Sequence, residues 1–240
     1  MDVTAGALIL AALATIVGAT IQGSIGFGMN LVTVPVLALV LPDALPVTVV
    51  LLGIPISIAM LRHEHHALDR TGLGWIITGR VPGTIVGAWV VATVTTTMLQ
   101  GLIGGFVLLF VLASVFTPPL PVRPATQVAA GATSGVTGTA AGIGGPPIAL
   151  LYQHHAGPEM RSTLAASFFF GTLLSLTTLA VVRQVSWDQI LLGIGLAPLV
   201  VAGSYAGRRF HDFLDRGWMR PAVLAFASIS ASVVIVDALV

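Results

Sequence analysis

Cysteine is absent from the 240-residue sequence, and charged side chains are scarce. Without cysteine there is no disulfide framework, thiol nucleophile or cysteinyl metal site, and the redox compartment cannot be read. Only 8% of the residues are charged, 56% are hydrophobic, and the mean hydropathy is +1.00. A soluble domain needs a solvated polar surface that this composition does not supply. The sequence therefore predicts an all-α polytopic membrane protein, with the lipid bilayer as its surroundings.

Basic residues are also few, and this limits the partners of the chain. The net charge of +1 gives no electrostatic signal for a nucleic acid, so no such partner is expected. No arginine-rich segment precedes the first apolar run, which is longer than the core of a typical signal peptide, so cleavage is not expected. A homo-oligomer is compatible with the sequence, which does not fix the oligomeric state.

Ten apolar segments alternate with short connections. They cover residues 4–22, 30–41, 44–61, 72–94, 99–116, 125–139, 146–153, 160–182, 188–207 and 219–238. Segments 30–41 and 146–153 are too short to cross a bilayer, since a helical span needs about 20 residues.

Glycines and a proline recur at a constant offset along the chain. The first set lies 116 positions before the second: Gly26, Gly28, Gly79, Pro82, Gly87 and Gly101, then Gly142, Gly144, Gly195, Pro198, Gly203 and Gly217. We interpret the offset as an internal duplication, with repeats over residues 1–120 and 121–240 of one membrane domain.

The arginines distinguish two topologies of the repeats. If each short segment forms a re-entrant hairpin with the helix before it, each half crosses an odd number of times and the halves are inverted. Nearly all arginines outside the spans then share the cytoplasmic side, as the positive-inside rule requires, and both termini lie outside. This side would hold Arg62, Arg70, Arg123, Arg161, Arg208, Arg209, Arg216 and Arg220, leaving Arg183 opposite. If the repeats were parallel, four of these nine arginines would lie on one side of the membrane and five on the other.

Two glycine-rich breaks interrupt the apolar pattern at matching places. The first reads GSIGFGMN over Gly23–Asn30, and the second reads GTAAGIGGPP over Gly138–Pro147. Glycine permits a tight reversal, and proline suits the first turn of a new helix. Each break thus predicts a half-helix whose N-terminus exposes free N–H groups and partial positive charge, and two such termini near the midplane would bind an anion.

The predicted substrate-binding residues come from these breaks and from one arginine. They are Gln22, Ser24, Gly26, Gly28, Asn30, Arg80, Gly142, Gly144, Gly145 and Pro146. The alternative is that the glycines only allow close helix packing, which we favour for the pairs Gly83/Gly87, Gly101/Gly105 and Gly203/Gly207. Ser167 and Thr172 are expected to bond back to their own helix.

Arg80 lies well inside a predicted span, where an arginine is costly and therefore a functional candidate. It either reaches a cavity and binds an oxyanion through two N–H groups, or extends along the span to the cytoplasmic surface.

The break motifs resemble those of the TauE/SafE sulfite exporters, also called the toluenesulfonate uptake permease family. The resemblance rests on GSIGFGMNLVTVP in the first half and GIGGPP in the second, and covers nearly the whole chain. Met29 and Asn30 stand where this family often has further glycines. The resemblance implies movement of small sulfur-containing anions, sulfite or organosulfonates, across the cytoplasmic membrane of a bacterium.

The sequence thus predicts an anion transporter, more specifically an exporter, and not an enzyme. A passive anion channel shares every motif. An integral-membrane metalloenzyme would use the histidines of RHEHHALDR, Arg62–Arg70, but their spacing is not that of a zinc helix, and neither metal nor cofactor is expected. His154 and His155 could respond to pH at the end of the second half-helix. No Asp or Glu falls well inside a predicted span, so a carboxylate proton relay is missing and export would run on the membrane potential.

Overall fold

The computed structural model of the protein describes residues 4–116, 120–153, 155 and 157–209, together with Ser228, Ser232 and Val236. Every regular element in this part of the chain is helical. The α-helices are α1 Ala5–Ile25, α2 Met29–Val40, α3 Val47–Leu51, α4 Gly53–Glu64, α5 Arg70–Thr93, α6 Thr96–Phe116, α7 Pro124–Ala140, α8 Gly145–Tyr152, α9 Gly157–Val181 and α10 Trp187–Arg208. Short 3-10 turns, Pro42–Ala44 and His65–Ala67, precede α3 and α5. Arg216, Gly217, Arg220 and most of the predicted segment 219–238 lie outside the described residues.

Six segments of the described chain are long and apolar enough to cross a membrane. They are Ala5–Ile25, Val47–Ala67, Arg70–Thr93, Thr96–Ala113, Gly157–Val181 and Trp187–Arg208. This confirms the prediction of an all-α polytopic membrane protein. The two short apolar segments are short helices: α2 has 12 residues and α8 has 8.

The predicted segment 44–61 is divided in two. Helix α3 ends at Leu51 and α4 begins at Gly53, with Leu52 in a turn between them. Pro55 stands in the first turn of α4, where its ring and missing N–H prevent a continuous helix from running back through Leu51. Glycine and proline together therefore bend this segment.

Helix bounds recur at the offset seen in the sequence. Moving α2 forward by 116 positions starts it at residue 145, where α8 begins, and moving α5 gives 186–209 against 187–208 for α10. In the same way α1 maps onto α7, and α3 with α4 maps onto α9. The described helices of the two halves therefore follow one plan.

The most extensive helix contacts join the two halves of the chain. Helix α5 packs most extensively against α7, and α1 against α10, so the first helix of each half lies on a late helix of the other. Gly87 lies where an added Cβ would stand 2.7 Å from the Val136 carbonyl, and Gly203 where it would stand 2.6 Å from that of Ile16. Close packing of this kind agrees with our interpretation of Gly83/Gly87 and Gly203/Gly207. A Cβ added at Gly101 or Gly105, in contrast, would have no atom of the described chain within 4 Å, so the structure does not support close packing for this pair.

Helices α4 and α9 cross near the centre of the molecule in opposite directions. Gly53 at the start of α4 faces Thr172 of α9, while Glu64 at the end of α4 binds Arg161 near the start of α9. The two helices are therefore antiparallel. The two helices are counterparts under the 116-residue offset.

Candidate functional site

The first break joins α1 to α2 through two glycines in the left-handed region. Gly26 ends α1 with φ +103°, and its N–H donates to the Gln22 carbonyl at 2.8 Å. Gly28 precedes α2 with φ +113°. A side chain would be strained at either position, which explains why both are glycine. The amide oxygen of Gln22 accepts from the Met29 N–H at 3.1 Å, so this side chain caps α2.

The second break joins α7 to α8 with a different backbone. Gly142 is left-handed, with φ +71°, but Gly144 has φ −90°, a conformation open to other residues. Pro146 and Pro147 stand in the first turn of α8 and carry no N–H. The N-terminal end of α8 therefore offers fewer hydrogen-bond donors than an ordinary helix N-terminus.

The two breaks meet at one cavity. The side-chain Nδ2 of Asn30, from the first break, donates to the Gly142 carbonyl of the second at 2.5 Å. Between them lies a cavity of about 50 Å³, enough for a small polyatomic anion or a few waters. Its lining comprises Gln22, Gly28, Met29, Asn30, Leu31, Val49, Val50, Gly53, Ile56, Arg80, Gly138, Gly142, Ile143, Gly144, Gly145, Pro146, Phe168, Thr172 and Ser175.

Arg80 projects from the middle of α5 into this cavity. It is 4% exposed, so the side chain does not run to the membrane surface. Its Nη1 donates to the Ser134 hydroxyl at 2.9 Å, and Ser134 donates in turn to the Gly144 carbonyl at 2.5 Å. Of the two alternatives left open by the sequence, the structure thus places Arg80 at the cavity.

Glycines make the room that the guanidinium occupies. A Cβ at Gly138 would stand 3.1 Å from Arg80 Nη2, and one at Gly144 would stand 3.2 Å from the same atom. A Cβ at Gly171, on α9, would collide with the guanidinium itself. The sequence did not predict that Arg80 contacts Ser134, Gly138 and Gly171. Nothing in the local sequence of these residues indicates that α5, α7 and α9 meet here.

The guanidinium has no acidic partner among the described residues. The ion pairs found there are Arg161–Glu64 and His155–Glu159, both away from the cavity. Arg80 Nε is buried without a hydrogen-bond partner, and so is Asn30 Oδ1. Within the described chain, the cavity lining therefore includes one arginine without an acidic partner and two residues that each carry an unused polar atom.

Most of the predicted binding residues line the cavity, but two do not. The Ser24 hydroxyl donates to the carbonyls of Thr20 and Gly207, at 2.7 and 2.8 Å, and links α1 to α10. Gly26 lies against the side chain of Arg161. Thr172 lines the cavity although we expected it to bond back to its helix, whereas Ser167 does bond back, to Thr163.

Charged and phenolic side chains join the helix ends on one side of the cavity. The Arg161 guanidinium binds Glu64 through Nε and Nη2, at 2.9 and 2.6 Å. The buried Tyr152 hydroxyl donates to Asp69 at 2.7 Å and accepts from Gln127 at 2.9 Å. Both carboxylates of the segment RHEHHALDR are thus engaged, Glu64 by Arg161 and Asp69 by Tyr152.

No group of three His, Asp or Glu side chains within the described residues is arranged to hold a metal. His155 pairs with Glu159 at 3.1 Å, and its ring is tilted against that of Tyr152, outside the cavity lining. His154 lies outside the described residues.

Neutral groups join the helix ends on the opposite side. The Gln189 side chain, at the start of α10, donates to the Asp43 carbonyl at 2.9 Å. Thr48 at the start of α3 donates to the Gln189 carbonyl at 3.0 Å. The hydrogen bonds described at this end go to backbone carbonyls, whereas the contacts at the other end include the Arg161–Glu64 ion pair.

A second, apolar cavity adjoins the first. It has a volume of about 100 Å³, and it shares Leu31 and Pro146 with the anion-sized cavity. The rest of its lining is Ile25, Phe27, Phe110, Val111, Ala149, Leu150, Gln153 and Met160.

Six segments of the described chain are long and apolar enough to span a membrane, and Arg80, which has no acidic partner among the described residues, lines a cavity between two helix breaks. This arrangement is typical of helical membrane transport proteins with broken helices. The family model described as "Sulfite exporter TauE/SafE" matches residues 10–234. The chain therefore belongs to the TauE/SafE sulfite exporter family, as the motifs predicted. No curated protein and no solved structure matches it significantly. Because TauE/SafE is a family of transporters, membership is consistent with a protein that is not an enzyme.

Proposed function

We propose that this protein carries a small sulfur-containing oxyanion across the membrane and binds it between the starts of α2 and α8, beside Arg80. The observation that carries the proposal is a buried guanidinium, without a carboxylate partner in the described chain, facing a cavity between two helix breaks. An unpaired cation within a membrane is costly, and a bound anion would offset that cost.

The donors at the cavity suit a sulfur oxyanion. The guanidinium presents N–H groups in a planar fork that matches two oxygens of a sulfite or sulfonate group. The backbone N–H groups of Asn30, Gly144 and Gly145 take part in no described hydrogen bond and lie at the positive ends of α2 and α8. Sulfite, which is small and has three oxygens, is the first candidate.

An organosulfonate is the second candidate substrate. The apolar cavity beside the site could hold an alkyl or aryl group while the sulfonate stays at Arg80, because the two cavities share Leu31 and Pro146. Competition by benzenesulfonate against sulfite, lost when Met160→Trp fills the apolar cavity, would support this substrate class.

We further propose that the halves are inverted repeats, each with a re-entrant hairpin. Antiparallel packing of the counterpart helices α4 and α9 supports inversion, since parallel repeats would orient counterparts alike. The hairpins are supported by the antiparallel contacts of α1 with α2, where Gly18 lies against Met29 and Thr33 binds the Ala14 carbonyl.

The arginines support a cytoplasmic assignment for one end of the molecule. Arg161 binds Glu64, Arg208 donates to the Ala59 carbonyl, and Arg70 begins α5 beside Asp69. Arg183 lies at the other end, between α9 and α10. The positive-inside rule then places the Glu64–Arg161 end in the cytoplasm, at the inner membrane of a bacterium.

Cysteine labelling tests this topology in a chain that has no native cysteine. His66→Cys and Arg209→Cys should react from the cytoplasmic face, and Thr95→Cys and Arg183→Cys from the opposite face. All four positions are exposed. Labelling of His66→Cys and Arg209→Cys from opposite faces would contradict inversion.

Transport is tested with the purified protein in sealed vesicles. Sulfite flux should saturate with concentration and show countertransport, whereas a passive anion channel would show neither. A potential that is negative on the cytoplasmic side should drive export by about 2.3 kcal/mol per charge per 100 mV. Flux that ignores a potassium-diffusion potential but follows an imposed proton gradient would contradict potential-driven export.

A further inference from the structure

The cavity contains a hydrogen-bond acceptor that an ordinary anion cannot use. Asn30 Oδ1 is buried and has no partner. Its orientation is fixed, because Asn30 Nδ2 donates to the Gly142 carbonyl, and turning the amide over would bring two oxygens face to face. The lining of the cavity therefore includes a residue with an acceptor oxygen that takes part in no described hydrogen bond.

Two residues of the cavity lining each carry a buried polar atom without a partner, and these atoms indicate which groups a ligand would need. Arg80 Nε needs an acceptor, and Asn30 Oδ1 needs a donor. A fully deprotonated oxyanion supplies acceptors only and would turn its own lone pairs toward Oδ1. An oxyanion that keeps one O–H supplies a donor for Asn30 Oδ1 and acceptors for the Arg80 guanidinium. Leaving such a buried group unpaired is costly, so the difference affects affinity.

The charge of the lining leads to the same ligand. Arg80 is the titratable side chain among the described lining residues; α1, α2, α3, α4, α7, α8 and α9 contribute uncharged groups there. Arginine stays protonated across the physiological range. One positive charge in a poorly hydrated site balances one negative charge, whereas a dianion would leave a net negative charge buried.

We propose that this site selects the singly charged, protonated form of its oxyanion, which for sulfite is hydrogen sulfite, and that Asn30 is the residue that makes the selection. The inference rests on the proposed function, because it concerns the anion bound at Arg80. In the bound state the O–H of hydrogen sulfite donates to Asn30 Oδ1 while its other oxygens accept from Arg80.

Calorimetric titration of the full-length protein in detergent tests the inference, with sulfite and methanesulfonate as probes. Methanesulfonate is also singly charged, but it has no O–H and does not titrate near neutral pH. The apparent affinity for total sulfite should fall about tenfold per pH unit above the pKa of hydrogen sulfite, as the protonated fraction falls. The affinity for methanesulfonate should stay constant and so report any titration of the protein itself.

Asn30→Leu should weaken sulfite binding roughly tenfold while leaving methanesulfonate binding within about a factor of three. The matched control is Gln100→Leu, since Gln100 also donates its amide to a helix carbonyl, that of Ala38, but lies away from the cavity. The control should change neither affinity.

The outcomes separate this inference from the proposed function. Sulfite affinity that is constant or rises with pH, while both probes bind, would overturn the selection of the protonated form and leave the anion site intact. Binding of neither probe would overturn the proposed function itself. Because the pH dependence is measured on the unaltered protein, a poorly folded Asn30→Leu variant would not prevent the decision.

Discussion

The two halves of the cavity wall have the same helices but not the same chemistry. Arg80 of α5 corresponds to Leu196 of α10, and Ser134 of α7 corresponds to Gly18 of α1. Leu196 packs in an apolar cluster with Met29 and Val200, whereas Arg80 faces the cavity. The charge at the proposed site is thus present at only one of the two positions related by the 116-residue offset.

A further pair of counterpart positions also carries different side chains. Gly138 corresponds to Gln22. The guanidinium of Arg80 lies against Gly138, whereas the side chain of Gln22 caps α2. Matching positions therefore carry the helix breaks, and the side chains of the proposed binding site differ between the halves.

Replacing Arg80 by the residue at its counterpart position should have the largest effect on anion affinity. Arg80→Leu copies Leu196 and removes the charge, and we expect anion affinity to fall roughly 100-fold or more. Thermal stability should not fall, because the native guanidinium is buried without a carboxylate partner in the described chain. Calorimetric titration and a melting curve measure the two effects, with Arg183→Gln, an exposed arginine, as the control. Unchanged affinity would remove Arg80 from the site.

Displacing the guanidinium without changing it should have the next largest effect. An alanine at Gly171 would collide with Arg80, so we expect Gly171→Ala to weaken anion binding about tenfold. The matched control is Gly195→Ala in α10, where no atom lies within 4 Å of the added Cβ. Equal affinity in both variants would show that the guanidinium moves aside without consequence.

The two breaks should respond differently to the same substitution. Gly28→Ala forces a left-handed alanine and should lower the free energy of unfolding by about 1–2 kcal/mol. Its counterpart Gly144 is right-handed, so Gly144→Ala should cost little in backbone strain but press on Ser134 and Arg80. Thermal denaturation and anion titration of both variants check this separation. Equal destabilisation would contradict the conformational difference between the breaks.

Removing the hydroxyl that orients Arg80 should have the smallest effect. Ser134→Ala deletes the bridge from the guanidinium to the Gly144 carbonyl, and we expect roughly three- to tenfold weaker binding. The control is the neighbouring Thr133→Ala, whose exposed hydroxyl only bonds back to Ala129. A loss as large as that of Arg80→Leu would mean that Ser134 contacts the anion itself.

Local sequence predicted the helices and the breaks well. The positions of Gly26, Gly28 and Gly142 are determined by backbone conformations that disfavour a side chain, and apolar run lengths follow from the thickness of a bilayer. These causes act within a few residues, so they are visible in a single sequence.

Contacts between distant helices were not predictable in the same way. The sequence did not decide whether Arg80 lies in a cavity or extends to the membrane surface. Its position depends on Ser134 and Gly171, which are 54 and 91 residues away. Ser24 was assigned to the anion because it lies in the break, but α10 presents the Gly207 carbonyl to it. A hydroxyl near a break binds whichever partner the tertiary fold brings there.

The helix contacts between the two halves have a consequence for biosynthesis. Helix α1 finds its principal partner in α10, whose first residue is synthesised 162 residues after the last residue of α1. Until α10 has been inserted, the small residues Gly23 and Ala19 of α1 face lipid or a chaperone instead of α10. A chain interrupted before α10 therefore keeps the contacts of α1 with α2 but lacks the most extensive helix contact of α1.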